Sequence, residues 1–138
     1  LRYFQDFYAD FDRQKAEDLL KEFMIPVERR IKTLSKGTRE KVQLILVMSR
    51  KAKLYILDEP MAGVDPAARD HILDTILSGY DEEATILIST HLIADVERVL
   101  DEVIFLDHGR ITRHEQADQL RMREGKSIDQ IFREDFRC

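Results

Sequence analysis

Cysteine is all but missing from this chain: Cys138, the last residue, is the only one. A single terminal thiol excludes an internal disulfide and a cysteine-rich metal site, and it fits a reducing cytoplasm. It is also a poor candidate nucleophile, because a terminal residue is rarely held in place. Long apolar runs are missing too. No stretch approaches the length that crosses a bilayer and no secretory signal is visible, so a role at a membrane would need a separate subunit. Glycine is scarce, with Gly37, Gly63, Gly79, Gly109 and Gly125 as the whole supply. None of them stands in a G-x-x-x-x-G-K-[ST] loop. The three prolines act as punctuation: Pro26 is expected to end a helix, Pro60 a strand, and Pro66 to open a helix at its first position. Internal repeats and low-complexity linkers are absent.

The 138 residues are 43% hydrophobic and 36% charged, enough for one globular domain with a real core. The net charge of −5 hides an asymmetry. Residues 1–50 carry 11 Lys/Arg against 8 Asp/Glu, and residues 51–138 carry 11 against 19. A mildly basic first part suggests an anionic ligand or partner, while the overall acidity argues against a nucleic-acid-binding surface.

The stretch Leu54–Pro60 runs from apolar residues straight into Asp58 and Glu59. A short uninterrupted apolar run reads as a strand buried on both faces of a parallel sheet. Its carboxyl edge then presents two carboxylates where open α/β folds bind ligands. Taken alone, the same pattern fits an ordinary strand end with two solvated acids. Thr85–His91 repeats the logic, an apolar strand ending in Thr90 and His91. Neighbouring strands would place both endings on one sheet edge. Between them, Met61–Pro66 reads as a turn, Asp65 as an N-cap, and Ile72, Leu73, Ile76 and Leu77 as the inner face of a helix that Gly79 stops.

Upstream, Leu1, Phe4 and Tyr8 share a helical face, and Tyr3, Phe4, Phe7, Tyr8 and Phe11 are expected to form the core of a small helical unit. Asp12 caps a second helix carrying Ala16, Leu19, Leu20 and Phe23. Ser35 can cap a third, from about Thr38 to Arg50, which is apolar nearly all round and therefore buried. A helix start with a hydroxyl, Gly37 and several cations is a ready anion site, although for this stretch taken alone a capped helix with solvated basic neighbours is the commoner reading. Downstream, Val103–Leu106 is a third strand and His108-Gly109 a hairpin turn. Residues 116–123 read as a short polar helix, and Ser127 and Gln130 as the capping box of a last one.

Three motifs therefore stand in fixed order: Leu34-Ser35-Lys36-Gly37-Thr38, then Leu54–Pro60 with Ala62–Asp65, then Ser89-Thr90-His91. The ordered set resembles the C-terminal half of an ABC-type ATPase domain, the nucleotide-binding subunit of ABC transporters. The resemblance covers nearly the whole chain, and the tail around Gly125–Phe132 is similar to bacterial drug- and antibiotic-export subunits. It implies an α/β, P-loop NTPase-like fold with a partial, mainly parallel sheet. Its parts would be a helical subdomain over 1–50, a partial ATPase core over 51–115 and a helical tail over 116–138. It also implies ATP and Mg²⁺ as ligands. Leu34–Thr38 looks like the signature, Leu54–Asp58 like Walker B, Glu59 like the catalytic glutamate, Ala62–Asp65 like the D-loop and His91 like the switch histidine.

By that resemblance Ser35, Lys36, Gly37 and Thr38 would meet ATP held by a second ATPase subunit. Asp58 would hold Mg²⁺ through a water, Glu59 would deprotonate the attacking water, His91 would sense the γ-phosphate, and Asp65 would link the two sites. The implied partners are that second subunit and a transmembrane permease at the inner face of the cell membrane. A soluble ABC-type ATPase of DNA repair, chromosome structure or translation is the alternative. Only 22 residues separate Ser35 from Asp58, too few for a coiled-coil insertion. The departures are Lys36 for the common Gly, Thr38 for Gln, and Glu40-Lys41 for the frequent Gln-Arg pair. Starting at Leu1 with no phosphate loop, the chain is expected to be N-terminally truncated and inactive by itself.

Overall fold

The computed structural model describes residues 1–78, 80 and 83–136. Gly79, the expected helix stop, and Cys138 lie outside the described residues. Two compact units divide the chain, Leu1–Thr90 and His91–Cys138.

The first unit opens with α1 (Arg2–Phe7) and α2 (Arg13–Glu22). Asp12 caps α2, its carboxylate accepting from the Lys15 N–H at 3.0 Å. Ala16, Leu19 and Leu20 face inward, where they meet Val42, Ile45 and Leu46 of α3 (Lys36–Met48). Of the five clustered aromatics only Phe4 and Phe11 pack against this core. Tyr3 and Phe7 are exposed and stack on each other at 4.5 Å, so the expected aromatic core holds for two residues. A six-residue helix has one inward face, which Phe4 takes.

Pro26 does not end α2. The helix stops four residues earlier, because Met24 turns left-handed at φ 52°. The Ile25 N–H then bonds the Leu20 carbonyl and the Met24 N–H the Lys21 carbonyl, a Schellman ending that satisfies two orphan carbonyls. Helix α3 starts at Lys36, two residues before the expected Thr38, because the Ser35 hydroxyl caps it. It is buried along Val42, Leu44, Ile45, Leu46 and Met48 but leaves Gln43 and Val47 outside.

Arg50 ties this helical part to the strand that follows, its carbonyl accepting from the Tyr55 hydroxyl at 2.5 Å. Its guanidinium meets both oxygens of Asp10 at 3.0–3.2 Å and stacks over Tyr8 at 4.0 Å. Strand β1 (Leu54–Asp58) pairs in parallel with β2 (Thr85–Ser89), and α4 (Pro66–Ser78) makes the crossover between them. The expected burial on both faces of β1 is corrected. Tyr55 and Leu57 are buried, but Leu54 is 51% and Ile56 67% exposed, and Leu87 of β2 is 47% exposed. Side chains alternate across a strand, and among the described residues the face bearing Tyr55 and Leu57 is the covered one.

In the second unit, α5 (Ile93–Val96) and a short 3₁₀ turn precede the antiparallel hairpin β3 (Glu102–Asp107) and β4 (Arg110–Gln116). His108 and Gly109 both take positive φ at its tip, the primed turn whose twist suits a two-residue hairpin. Helices α6 (Ala117–Glu124) and α7 (Ile128–Asp135) pack Leu120, Ile128 and Ile131 under Val103 and Phe105. Ser127 and Gln130 form the expected capping box.

Candidate functional site

Parallel register sets the geometry at the end of the β1–β2 pair. Asp58 stands opposite Ser89, and the Ser89 hydroxyl donates to the Asp58 carboxylate. Glu59 leaves the strand with φ 45°, a left-handed turn that swings its side chain off the strand direction. Its N–H is anchored on the Ser89 carbonyl at 2.9 Å, and the Thr90 hydroxyl donates to its carboxylate at 3.3 Å. Two adjacent acids are thus held apart, each by a hydroxyl from the neighbouring strand end. The expected juxtaposition of the two strand endings is what the structure shows for Asp58, Glu59 and Thr90. His91 follows Thr90 directly in the chain, is exposed, and opens the second unit.

Asp58 and Glu59 line an open cavity of about 360 Å³ whose opposite wall is α3, through Glu40, Gln43, Leu44 and Val47. Ser35 and Thr38 line a different one of about 300 Å³, with Phe23, Met24, Arg29 and Lys41. Ser35 and Thr38 and the acid pair thus line different cavities among the described residues. The Ser35 hydroxyl accepts from the Thr38 N–H at 3.2 Å and lies 2.7 Å from the Thr38 hydroxyl. Thr38 is thus partly occupied with the cap. Lys36 is exposed beside them. Gly37 is helical, and a Cβ built on it would meet nothing within 4 Å, so none of the described residues demands glycine there. Asp65 is exposed immediately before α4, whose first residue is Pro66 as the Asp-Pro start predicts.

Ser89 and Thr90 as hydroxyl partners of the two acids are the additions the structure makes. Their signal was the register: once β1 and β2 are parallel neighbours, residue 89 must stand against residue 58. Among the described residues no group of three or more His, Cys, Asp or Glu could hold a metal ion. A single strand-end carboxylate with a hydroxyl beside it is nevertheless the donor set that suits Mg²⁺, which keeps several waters and takes its remaining ligands from phosphate.

Residues 2–94 match the family described as "AAA domain, putative AbiEii toxin, Type IV TA system". The chain is 33% identical over 128 residues to the ABC-type transporter ATP-binding protein EcsA of Bacillus subtilis, covering 88% of this chain and 51% of that protein. It is 38% identical over 111 residues to the thiamine import ATP-binding protein ThiQ of Rhizobium meliloti, covering 78% and 47%. Superposed on a solved ATP-binding subunit of an ABC transporter, it gives a TM-score of 0.75 at 31% identity over 88% of this chain and 52% of the other. The chain belongs to the AAA-domain ATPases of the ABC type. It spans about half the length of these relatives. The fold alone extends further, to the archaeal ribosome recycling factor aABCE1 in complex with the stalk protein aP1, at 21% identity and a TM-score of 0.66.

In this ABC-type chain, no described helix is long and apolar enough to cross a membrane. A doxorubicin resistance ATP-binding protein, DrrA of Mycobacterium tuberculosis, is 28% identical over 127 residues, 91% of this chain and 38% of that protein.

Proposed function

We propose that this chain supplies the signature, the Walker B strand, the D-loop and the switch histidine of an ATP-hydrolysing subunit that powers an ABC transporter. The observation that carries the proposal is the pairing of Asp58 with Ser89 and of Glu59 with Thr90 at one end of a parallel strand pair. A carboxylate that accepts from a neighbouring hydroxyl is held in a fixed orientation, as a general base must be. Glu59 would orient and deprotonate the water that attacks the γ-phosphate. Asp58 would hold Mg²⁺ through a water, and the bound ion would neutralise charge on the phosphate oxygens. His91 would contact the γ-phosphate and report its loss.

The separation of the two cavities supports a head-to-tail pair of subunits. Ser35, Lys36, Gly37 and Thr38 would close on ATP held by the partner, with Ser35 and the Gly37 N–H as donors at a helix start. Asp65, on the turn after Glu59, would carry the state of one site to the other. In this reading residues 1–50 face the membrane subunit, 51–115 belong to the ATPase core, and 116–138 form the tail. The subunit would be cytoplasmic and peripheral at the inner face of the membrane. The names of the relatives favour transport over a soluble task. Export is the direction we propose, on the resemblance of the tail around Gly125–Phe132 to drug- and antibiotic-export subunits.

The test is Glu59→Gln in the complete subunit. Hydrolysis should fall by at least about 100-fold, the scale of a lost general base, while ATP-driven dimerisation persists. Turnover at the parental rate would remove Glu59 from the role of base.

A further inference from the structure

Among the described residues, one buried side-chain polar atom has no hydrogen-bond partner: Oε2 of Glu40. Native structures satisfy almost all such atoms, so an exception asks for a reason. Glu40 sits in the second turn of α3, and its other oxygen, Oε1, lies 4.0 Å from the Lys36 ammonium one helical turn earlier. Lys36 is 83% exposed, so this pair compensates the carboxylate only loosely. The orphan oxygen points the other way, to the turn after β1. A Cβ built on Gly63 would lie 3.8 Å from it. That turn is well defined: Ala62 N–H bonds the Glu59 carbonyl at 3.0 Å, Val64 N–H bonds the Met61 carbonyl at 3.3 Å, and Met61 and Val64 are buried. It is the only covalent path from Glu59 to Asp65.

We infer that Glu40 is a positioning residue: its carboxylate props α3, the helix that starts at Ser35, against the Met61–Val64 turn, and so fixes where Glu59 and Asp65 stand relative to the signature. The inference rests on the ATPase reading above. Glu40 also lines the cavity that holds Asp58, Glu59, Pro60 and Ala62, so a shift of α3 would reach the turn along this wall, because packed elements move together and cannot deform freely. An unpaired acceptor oxygen is also ready to take an N–H from the turn when the two approach.

The experiment uses the complete subunit. ATP hydrolysis is measured for the parent, E40Q and E40A, together with amide hydrogen exchange over residues 61–65. E40A should lower kcat by about tenfold with KM within about twofold, and should speed exchange of the turn. E40Q should keep kcat within about twofold, since the amide retains an acceptor oxygen in place. E40S, short like alanine, takes the place of E40A if that variant misfolds. An active parent whose E40A form keeps both its rate and its protected turn overturns the inference and leaves the ATPase reading standing. So does a rise in KM at constant kcat, which would make Glu40 a binding group. A parent without hydrolysis whose turn still loosens in E40A would sink the ATPase reading and keep the contact.

Discussion

Met24 shows how a single residue can carry a cost that a fold accepts. It ends α2 in the left-handed region at φ 52°, with a side chain 88% exposed. That conformation costs an ordinary residue about 1–2 kcal/mol, and glycine would escape it at the price of about 0.5–1 kcal/mol of unfolded-chain entropy. Met24→Gly should therefore stabilise the protein by roughly 0.5–1 kcal/mol, read from the urea midpoint. Met24→Ala, which keeps the strain, should gain nothing. Equal stability of the two variants would mean that the left-handed turn is relaxed. The early stop was not legible in the sequence, where Pro26 looked sufficient, because a Schellman ending usually advertises itself with glycine and here does not. Asp12, Ser35 and Ser127 were legible as caps for the opposite reason: a short hydroxyl or carboxylate before an amphipathic run has few other uses.

Among elements, the second unit is laced by arginines. Glu115 of β4 receives Arg113 at 3.1 Å and also Arg123 of α6, while Arg113 reaches Asp135 of α7 at 2.9 Å. The hydrogen bond from Arg123, with the further one from Arg113, holds the Glu115 carboxyl below its ordinary 4.5. A depressed acid stabilises the fold above its unfolded value and loses that contribution as pH falls through the folded one. Thermal unfolding of parent and Glu115→Gln should differ near neutrality, with the parent higher. The two curves should converge as pH drops well below 4.5. A constant gap across that range would assign the effect to shape and not to charge. The hairpin and the capping box of this unit could be read from local signals, because His108-Gly109 and Ser127 with Gln130 act within a few residues. The ion pairs could not, since Arg113 and Asp135 are 22 residues apart and meet only after β4 and α7 are packed.

For the molecule as a whole, the strand endings were the most legible part of the site, and the burial of β1 the least. Apolar runs report that a strand is wanted in a core, not whether this chain supplies both layers. Here Leu54, Ile56 and Leu87 remain open on one face, and the 138 residues contain no phosphate loop of the G-x-x-x-x-G-K-[ST] type. Contiguous exposed apolar surface marks a place that something else covers. Acids that orient water and bind a cation contribute little affinity for ATP, whose triphosphate is held mainly by backbone N–H groups and a lysine in such a loop. A polypeptide of these 138 residues should therefore bind ATP far more weakly than micromolar, with or without Mg²⁺, while still showing the helical circular dichroism of its folded units. Calorimetry with ATP, and with ADP as the comparison, checks this directly. A saturable micromolar isotherm abolished by Ser35→Ala or Asp58→Asn would show that the signature and the strand end hold the nucleotide unaided. The chain would then need no second phosphate cradle, and the head-to-tail arrangement would lose its main physical argument.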